Sequence, residues 1–219
     1  MKKASTLGKL FVLLAILVFP SMAYLLMTTG HNKFKKLPYL WPQSVNEKGD
    51  TVFQSIPSFS FTNQKGNIFS DKDLEGKIYV ASFFFASCKG PCPKITTQLA
   101  RVQEKFKAVR DLKIISFTVD PQRDSVAALN DYGKKFMVNP NKWSLLTGDK
   151  KDIYELAMKG FFANAGEGNA NDDFFHTENV MLIDKERKVR GLYLGTDPKE
   201  IDRLMDEIVV LLTEYKGKK

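Results

Sequence analysis

An α/β domain built on a central parallel pair of strands is predicted by three features of the sequence. Ile78–Phe85 (IYVASFFF) is an unbroken apolar and aromatic run, the pattern of a strand covered on both faces. Behind it, Ile95, Leu99, Val102 and Phe106 recur at i, i+4, i+7 and i+11, which makes 93–110 an amphipathic helix with Pro93 at its start. Leu112–Val119 is a second buried run. Strand, helix and strand form one βαβ unit, so the two strands run parallel with a right-handed crossover.

The remaining elements follow in order. Phe59–Thr62 and Asn67–Phe69 flank the turn Gln64-Lys65-Gly66 and read as a β-hairpin. Ser125–Met137 reads as a helix, Trp143–Leu146 as a short strand and Asp152–Met158 as a short helix. Val180–Ile183 and Val189–Leu194 are strands joined by the charged turn Asp184-Lys185-Glu186-Arg187-Lys188. A closing helix starts near Pro198 and places Ile201, Leu204, Met205, Ile208 and Leu212 on one face. A βαβ half followed by a ββα half is the order of a thioredoxin-like fold, here with an inserted strand and helices. No internal repeat or long low-complexity tract interrupts it.

Composition supports this fold and excludes others. With two cysteines among 219 residues the chain is no disulfide-scaffold miniprotein, and 14 Gly, 9 Pro and a 12% aromatic share exclude collagen-like or disordered material. The net charge of +8 raises the question of nucleic acid. Three of the lysines, Lys2, Lys3 and Lys9, belong to the N-terminus, and the rest are scattered beside acids, so a solvated surface is the better reading and no nucleic-acid partner is expected.

Leu10–Met27 holds eighteen residues without a charge, long enough for a marginal membrane span, with Pro20 a tolerated kink. No Cys follows it to accept a lipid. Ser21 and Ala23 could serve a signal-peptide cleavage site, but Tyr24-Leu25-Leu26-Met27 carries the apolar run past them, which favours an uncleaved signal anchor, that is, one N-terminal transmembrane helix. A short basic start before a long domain places that domain on the periplasmic, extracytoplasmic side of the cytoplasmic (inner) membrane. The expected organisation is an anchor over 1–30, a linker over 31–55 containing Pro38, Pro42 and Gly49, and the folded domain over 56–219.

The chemistry gathers at the first strand-to-helix junction, Ser87-Cys88-Lys89-Gly90-Pro91-Cys92-Pro93. A helix N-terminus offers unpaired N–H groups and the positive end of the dipole, which would stabilise a thiolate, and Lys89 adds a cation. Such thiols serve a redox nucleophile or a metal ligand equally. An inert structural disulfide is disfavoured, because so short a loop removes little chain entropy. Thiol-disulfide oxidoreductases of this fold use C-x-x-C and a cis-proline before the facing strand. Here the spacing is one residue longer, and the strand is entered as Phe174-Phe175-His176-Thr177-Glu178-Asn179-Val180, without proline. His176 stands in that stretch and would direct an imidazole toward the cysteines, a donor set suited to Cu(I), Cu(II) or Zn(II). His31, in the linker, reads as a solvent-facing side chain.

Taken together, the N-terminal span, Cys88-x-x-x-Cys92-Pro93, Val119-Asp120-Pro121-Gln122-Arg123-Asp124 and a lone downstream His resemble the SCO/SenC family. The similarity covers about residues 50–215. It implies a thioredoxin-like domain outside the cytoplasm, copper held by Cys88, Cys92 and His176, and work on cytochrome c oxidase at the binuclear copper centre of subunit II. Two departures stand out: Pro91 stiffens the loop before Cys92, and Gly160–Asp173, rich in Gly and Asn, precedes His176, with Asp172 and Asp173 as acidic neighbours rather than ligands. On this reading the dithiol binds copper when reduced and loses it on forming the Cys88–Cys92 disulfide, so a periplasmic thiol reductant must keep it reduced. The runner-up is a thiol-disulfide oxidoreductase that reduces the cysteines of a copper-accepting partner. Peroxide reduction is weaker, because Ala86-Ser87 stand where a Thr would be wanted.

Overall fold

The computed structural model describes residues 14–22, 36–40, 43–45, 51–161 and 178–216. The chain divides into two compact units, Met1–Lys35 and Lys36–Lys219. In the first, residues 14–22 are helical (α1), with Leu14, Ile16, Leu17, Phe19 and Met22 exposed. No helix among the described residues is long and apolar enough to cross a membrane.

The second unit opens with a small hairpin, β1 (Gln43–Val45) against β2 (Thr51–Phe53). Next come β3 (Ser60–Asn63), β4 (Ile68–Ser70), a 3-10 turn (Asp71–Leu74), β5 (Ile78–Phe84), α2 (Pro91–Lys105) and β6 (Leu112–Thr118). Then follow α3 (Val126–Lys135), β7 (Trp143–Thr147), α4 (Lys150–Gly160), β8 (Asn179–Ile183), β9 (Val189–Leu194) and α5 (Pro198–Lys216). Seven strands form one sheet in the order β4-β3-β7-β6-β5-β8-β9. β5, β6 and β7 are parallel neighbours, as the βαβ grammar requires, and the flanking strands are antiparallel.

Both faces of the sheet are covered, which is why β5 is apolar without alternation and buried at all seven positions. One core gathers Ile95, Leu99 and Val102 of α2, Leu129 of α3 and Ile201, Leu204 and Ile208 of α5. The other packs Ile153, Leu156 and Ala157 of α4 with Phe59, Phe61 and Phe161. Phe117 lies at its centre, with four ring neighbours whose centroids stand 5.4–5.8 Å away. Gln64 extends the short β3–β7 ladder: its side-chain amide donates to the Trp143 carbonyl and accepts from the Leu145 N–H, both at 2.9 Å, standing in for backbone.

Two expectations need adjusting. Helix α2 begins at Pro91 rather than Pro93, because Pro91 takes the first helical position, where a missing N–H costs nothing. The stretch expected as a bare linker contains β1 and β2, and its residues 37–40 lie along β9 and α5. The Leu37 N–H donates to Glu214 Oε1 at 2.8 Å, Arg190 Nη2 donates to the Leu37 carbonyl at 2.6 Å, and the Leu40 N–H donates to the Val189 carbonyl at 3.1 Å. Tyr39 stacks on Phe53 at 4.3 Å, with the Arg190 guanidinium 4.4 Å from its ring centre. Periodicity could not reveal this docking, since backbone carbonyls and isolated rings make it.

Candidate functional site

The site forms where β5 stops. After Phe84 the chain turns, with the Cys88 N–H donating to the Phe85 carbonyl at 3.2 Å, and Gly90 caps α2 without a side-chain bond. Cys88 precedes the helix and Cys92 is its second residue; no disulfide joins them, and the two side chains are hydrogen-bonded. Both are buried, 9% and 5% exposed, and belong to the core beside Ile95 and Leu99.

For Cys92 that burial overturns the expectation of a thiolate stabilised by the helix N-terminus. The Cys92 thiol is pushed up to about 12, first by burial and then by its hydrogen bond with Cys88. The helix N-terminus compensates little, because Pro91 and Pro93 flank Cys92 and neither has an N–H to offer a thiolate. The metal-free Cys92 thiol is therefore held protonated.

A hydrogen-bonded frame fixes the loop. Asp124 Oδ2 accepts from the Ala86 N–H at 2.9 Å and from the Thr118 hydroxyl at 2.5 Å, while Thr118 Oγ1 accepts from the Asp120 N–H at 3.0 Å. Burial raises the Asp124 carboxyl above the ordinary carboxylate range, against the bond from Thr118. Behind Cys92, the Thr96 hydroxyl donates to the Cys92 carbonyl at 2.8 Å and lies 2.7 Å from the Tyr132 hydroxyl, so Tyr132 is the donor in that contact. Burial raises the Tyr132 pKa, keeping it a neutral donor. Asp120 Oδ2 is buried with no hydrogen bond, its cation Arg123 standing 3.6 Å away.

The structure thus brings Cys88 and Cys92 together, whereas His176, Asp172, Asp173 and His31 lie outside the described residues. Among the described residues no group of three His, Cys, Asp or Glu side chains gathers as a metal site. Sequence reading missed Thr118, Asp124, Thr96 and Tyr132 as framing residues. Asp124 alone carried a signal, as the last residue of Asp120-Pro121-Gln122-Arg123-Asp124, and spacing could not say which amide it would meet.

The SCO1/SenC family profile matches residues 48–212. The chain belongs to that family. A SCO1 protein homolog of Bacillus subtilis is 30% identical over 161 residues, spanning 73% of this chain and 83% of the relative. The structure of BsSco, described as a member of the Sco family of cytochrome c oxidase assembly proteins with a disulfide switch, matches with a TM-score of 0.62 at 30% identity, over 70% of this chain and 91% of that one. Arabidopsis thaliana ScoI, solved with copper bound, matches with a TM-score of 0.60 at 26% identity, over 74% of this chain and all of its own. The thioredoxin-like expectation is met by these SCO structures, and in this chain Cys88-x-x-x-Cys92 lies at the β5–α2 junction.

Proposed function

We propose that the chain is a membrane-anchored copper chaperone that binds copper through Cys88, Cys92 and His176 and delivers it to the binuclear copper site of cytochrome c oxidase. The observation that carries this reading is the pair of hydrogen-bonded thiols, one just before and one just inside α2, at a strand-to-helix junction, in a family whose Arabidopsis member was solved with copper bound. Two thiolates and an imidazole form a soft set that leaves copper an open position for transfer. Cys92 must give up its proton to bind, so metal uptake is coupled to proton release.

Support for His176 comes from the topology of its neighbours. Val180 of β8 pairs with Ser82 of β5, so the chain enters β8 at the thiol end of the sheet. Just upstream of β8, the Glu178 carbonyl accepts from the Gly195 N–H at 2.7 Å, and a Cβ on Gly195 would stand 3.0 Å from Ile95 in the second turn of α2. His176 is two residues before Glu178. For the anchor, the support is the uncharged run Leu10–Met27 and the exposed apolar side chains of α1. The organisation proposed is anchor, connecting segment and copper-binding domain, with the domain outside the cytoplasm.

The disulfide switch described for BsSco favours a second reading, reduction of a partner's disulfide. Closing a Cys88–Cys92 disulfide would release two protons and two electrons, and the electrons would open the partner's bond into two thiols. One comparison separates the two. Cys88→Ser, Cys92→Ser and His176→Ala should each abolish copper retention and oxidase assembly if the chain is a carrier. Normal assembly in His176→Ala cells, alongside failure of both cysteine variants, would leave the reductase standing.

A further inference from the structure

The end of the sheet opposite the thiols has a charge pattern that copper chemistry does not use. There the starts of β5, β6 and β7 and the β8–β9 turn meet: the Ile78 N–H donates to the Asp111 carbonyl, Lys113 Nζ to the Asn141 carbonyl at 2.5 Å, and Lys142 Nζ to the Val109 carbonyl. The acids at this pole are already engaged. Asp111 pairs with Lys185 at 3.2 Å, Asp184 pairs with Arg190 at 3.1 Å, Glu186 accepts from the Tyr215 hydroxyl, and Asp73 binds the Ser70 N–H at 2.7 Å. Arg110, Lys113 and Lys142 have no ion pair among the described residues. Burial, and then repulsion from Lys113, pulls Lys142 down to about 8, and Lys113 itself is lowered by burial and by Lys77, against Asp73. Arg110, Lys113 and Lys142, in excess of the acids that pair at this pole, leave a local positive potential.

The same pole receives the N-terminal arm. The Leu37 N–H donates to Glu214, the Leu37 carbonyl accepts from Arg190 and the Leu40 N–H donates to the Val189 carbonyl, so residues 37–40 lie at this pole. The seven residues of β5 put the thiols a further ~20 Å away.

We infer that the pole formed by Arg110, Lys113, Lys185 and Lys188 docks on an anionic lipid headgroup layer, holding the dithiol away from the membrane toward its partner. The inference rests on the anchored reading above. The carboxylates near the patch are already held in pairs, residues 37–40, which follow the proposed anchor in the chain, lie at the same pole, and a basic surface gains counter-charge from anionic headgroups.

The test uses the full chain with vesicles of phosphatidylcholine alone or mixed with phosphatidylglycerol, footprinted by lysine acetylation and mass spectrometry. Lys113, Lys185 and Lys188 should react severalfold more slowly on the mixed vesicles, while Lys89 and Lys94 beside the thiols react equally on both. The protection should vanish in about 1 M salt, where charges are screened beyond ~3 Å, and in Arg110→Glu/Lys113→Glu. Equal reaction at Lys185 and Lys188 on both compositions would overturn the docking surface and leave the anchor standing. Flotation reads the anchor separately: a chain that stays in solution beside phosphatidylcholine yet floats with mixed vesicles keeps the docking surface and overturns the anchor.

Discussion

Asp124 is the residue on which the order of the thiol loop turns. Its Oδ2 takes the Ala86 N–H and the Thr118 hydroxyl, and the residue is 2% exposed, so water cannot replace what Asp124→Ala removes. Stranding the partly buried Ala86 amide costs about 1 kcal/mol, the low end for a buried group, and losing a hydrogen bond to a charged group about 1.5–3 kcal/mol, so the alanine variant should lose about 2–4 kcal/mol in urea unfolding of the reduced protein. Asp124→Asn keeps an acceptor of the same shape and sheds a buried charge, so its loss should stay near 1 kcal/mol or below, within about the worth of a neutral bond. The two variants also differ in pH dependence. Burial raises the folded-state pKa of Asp124, so its contribution to stability is full below the unfolded value of ~3.9 and is lost as pH rises through the raised value. Asparagine does not titrate, so Asp124→Asn should compare more favourably with the unaltered chain at neutral pH than in acid. Copper titration completes the assay, with the alanine variant binding more weakly because the Ala86 turn no longer positions Cys88. An alanine variant that unfolds within about 1 kcal/mol of the asparagine variant and loads copper normally would refute this account.

Cys92, with its thiol near 12 in the folded state against an unfolded value of ~8.5, should stabilise the reduced chain below that unfolded value and lose the contribution as pH climbs toward 12. Ultraviolet thiolate absorbance should therefore show one late-titrating group, absent in Cys92→Ser, and the removal of that group should flatten alkaline unfolding. Copper loading at neutral pH should release the Cys92 proton, measurable in weak buffer, and affinity should strengthen with pH. Arg190→Met leaves Asp184, fully buried, and Glu214 without their cation and releases the Leu37 and Pro38 carbonyls. We expect a loss of about 3–5 kcal/mol and early proteolysis near residue 40; an arm that resists protease in this variant would show that the Tyr39–Phe53 stack suffices.

Some of this was present in the order of residues alone. Unbroken apolar runs at 78–85 and 112–119 around one amphipathic helix admit little but a parallel pair buried on both faces, and the order of the later elements makes the thioredoxin-like choice. The C-x-x-x-C-P junction and Asp120-Pro121-Gln122-Arg123-Asp124 were legible for the same reason, because their chemistry lies within a few residues of chain. What tertiary structure decided is where each group meets its environment. Cys92 looks like a thiolate site from its helix position, yet the α2–α5 packing buries it, and burial with the Cys88 hydrogen bond outweighs the backbone donors that remain, so the proton stays. The Ala86 amide that Asp124 accepts from lies thirty-eight residues away in sequence, and the Leu37 carbonyl that Arg190 donates to more than one hundred and fifty. Periodicity reports which face of an element is apolar; desolvation and hydrogen bonding depend on what the folded chain brings against that face, and only folding creates that neighbourhood.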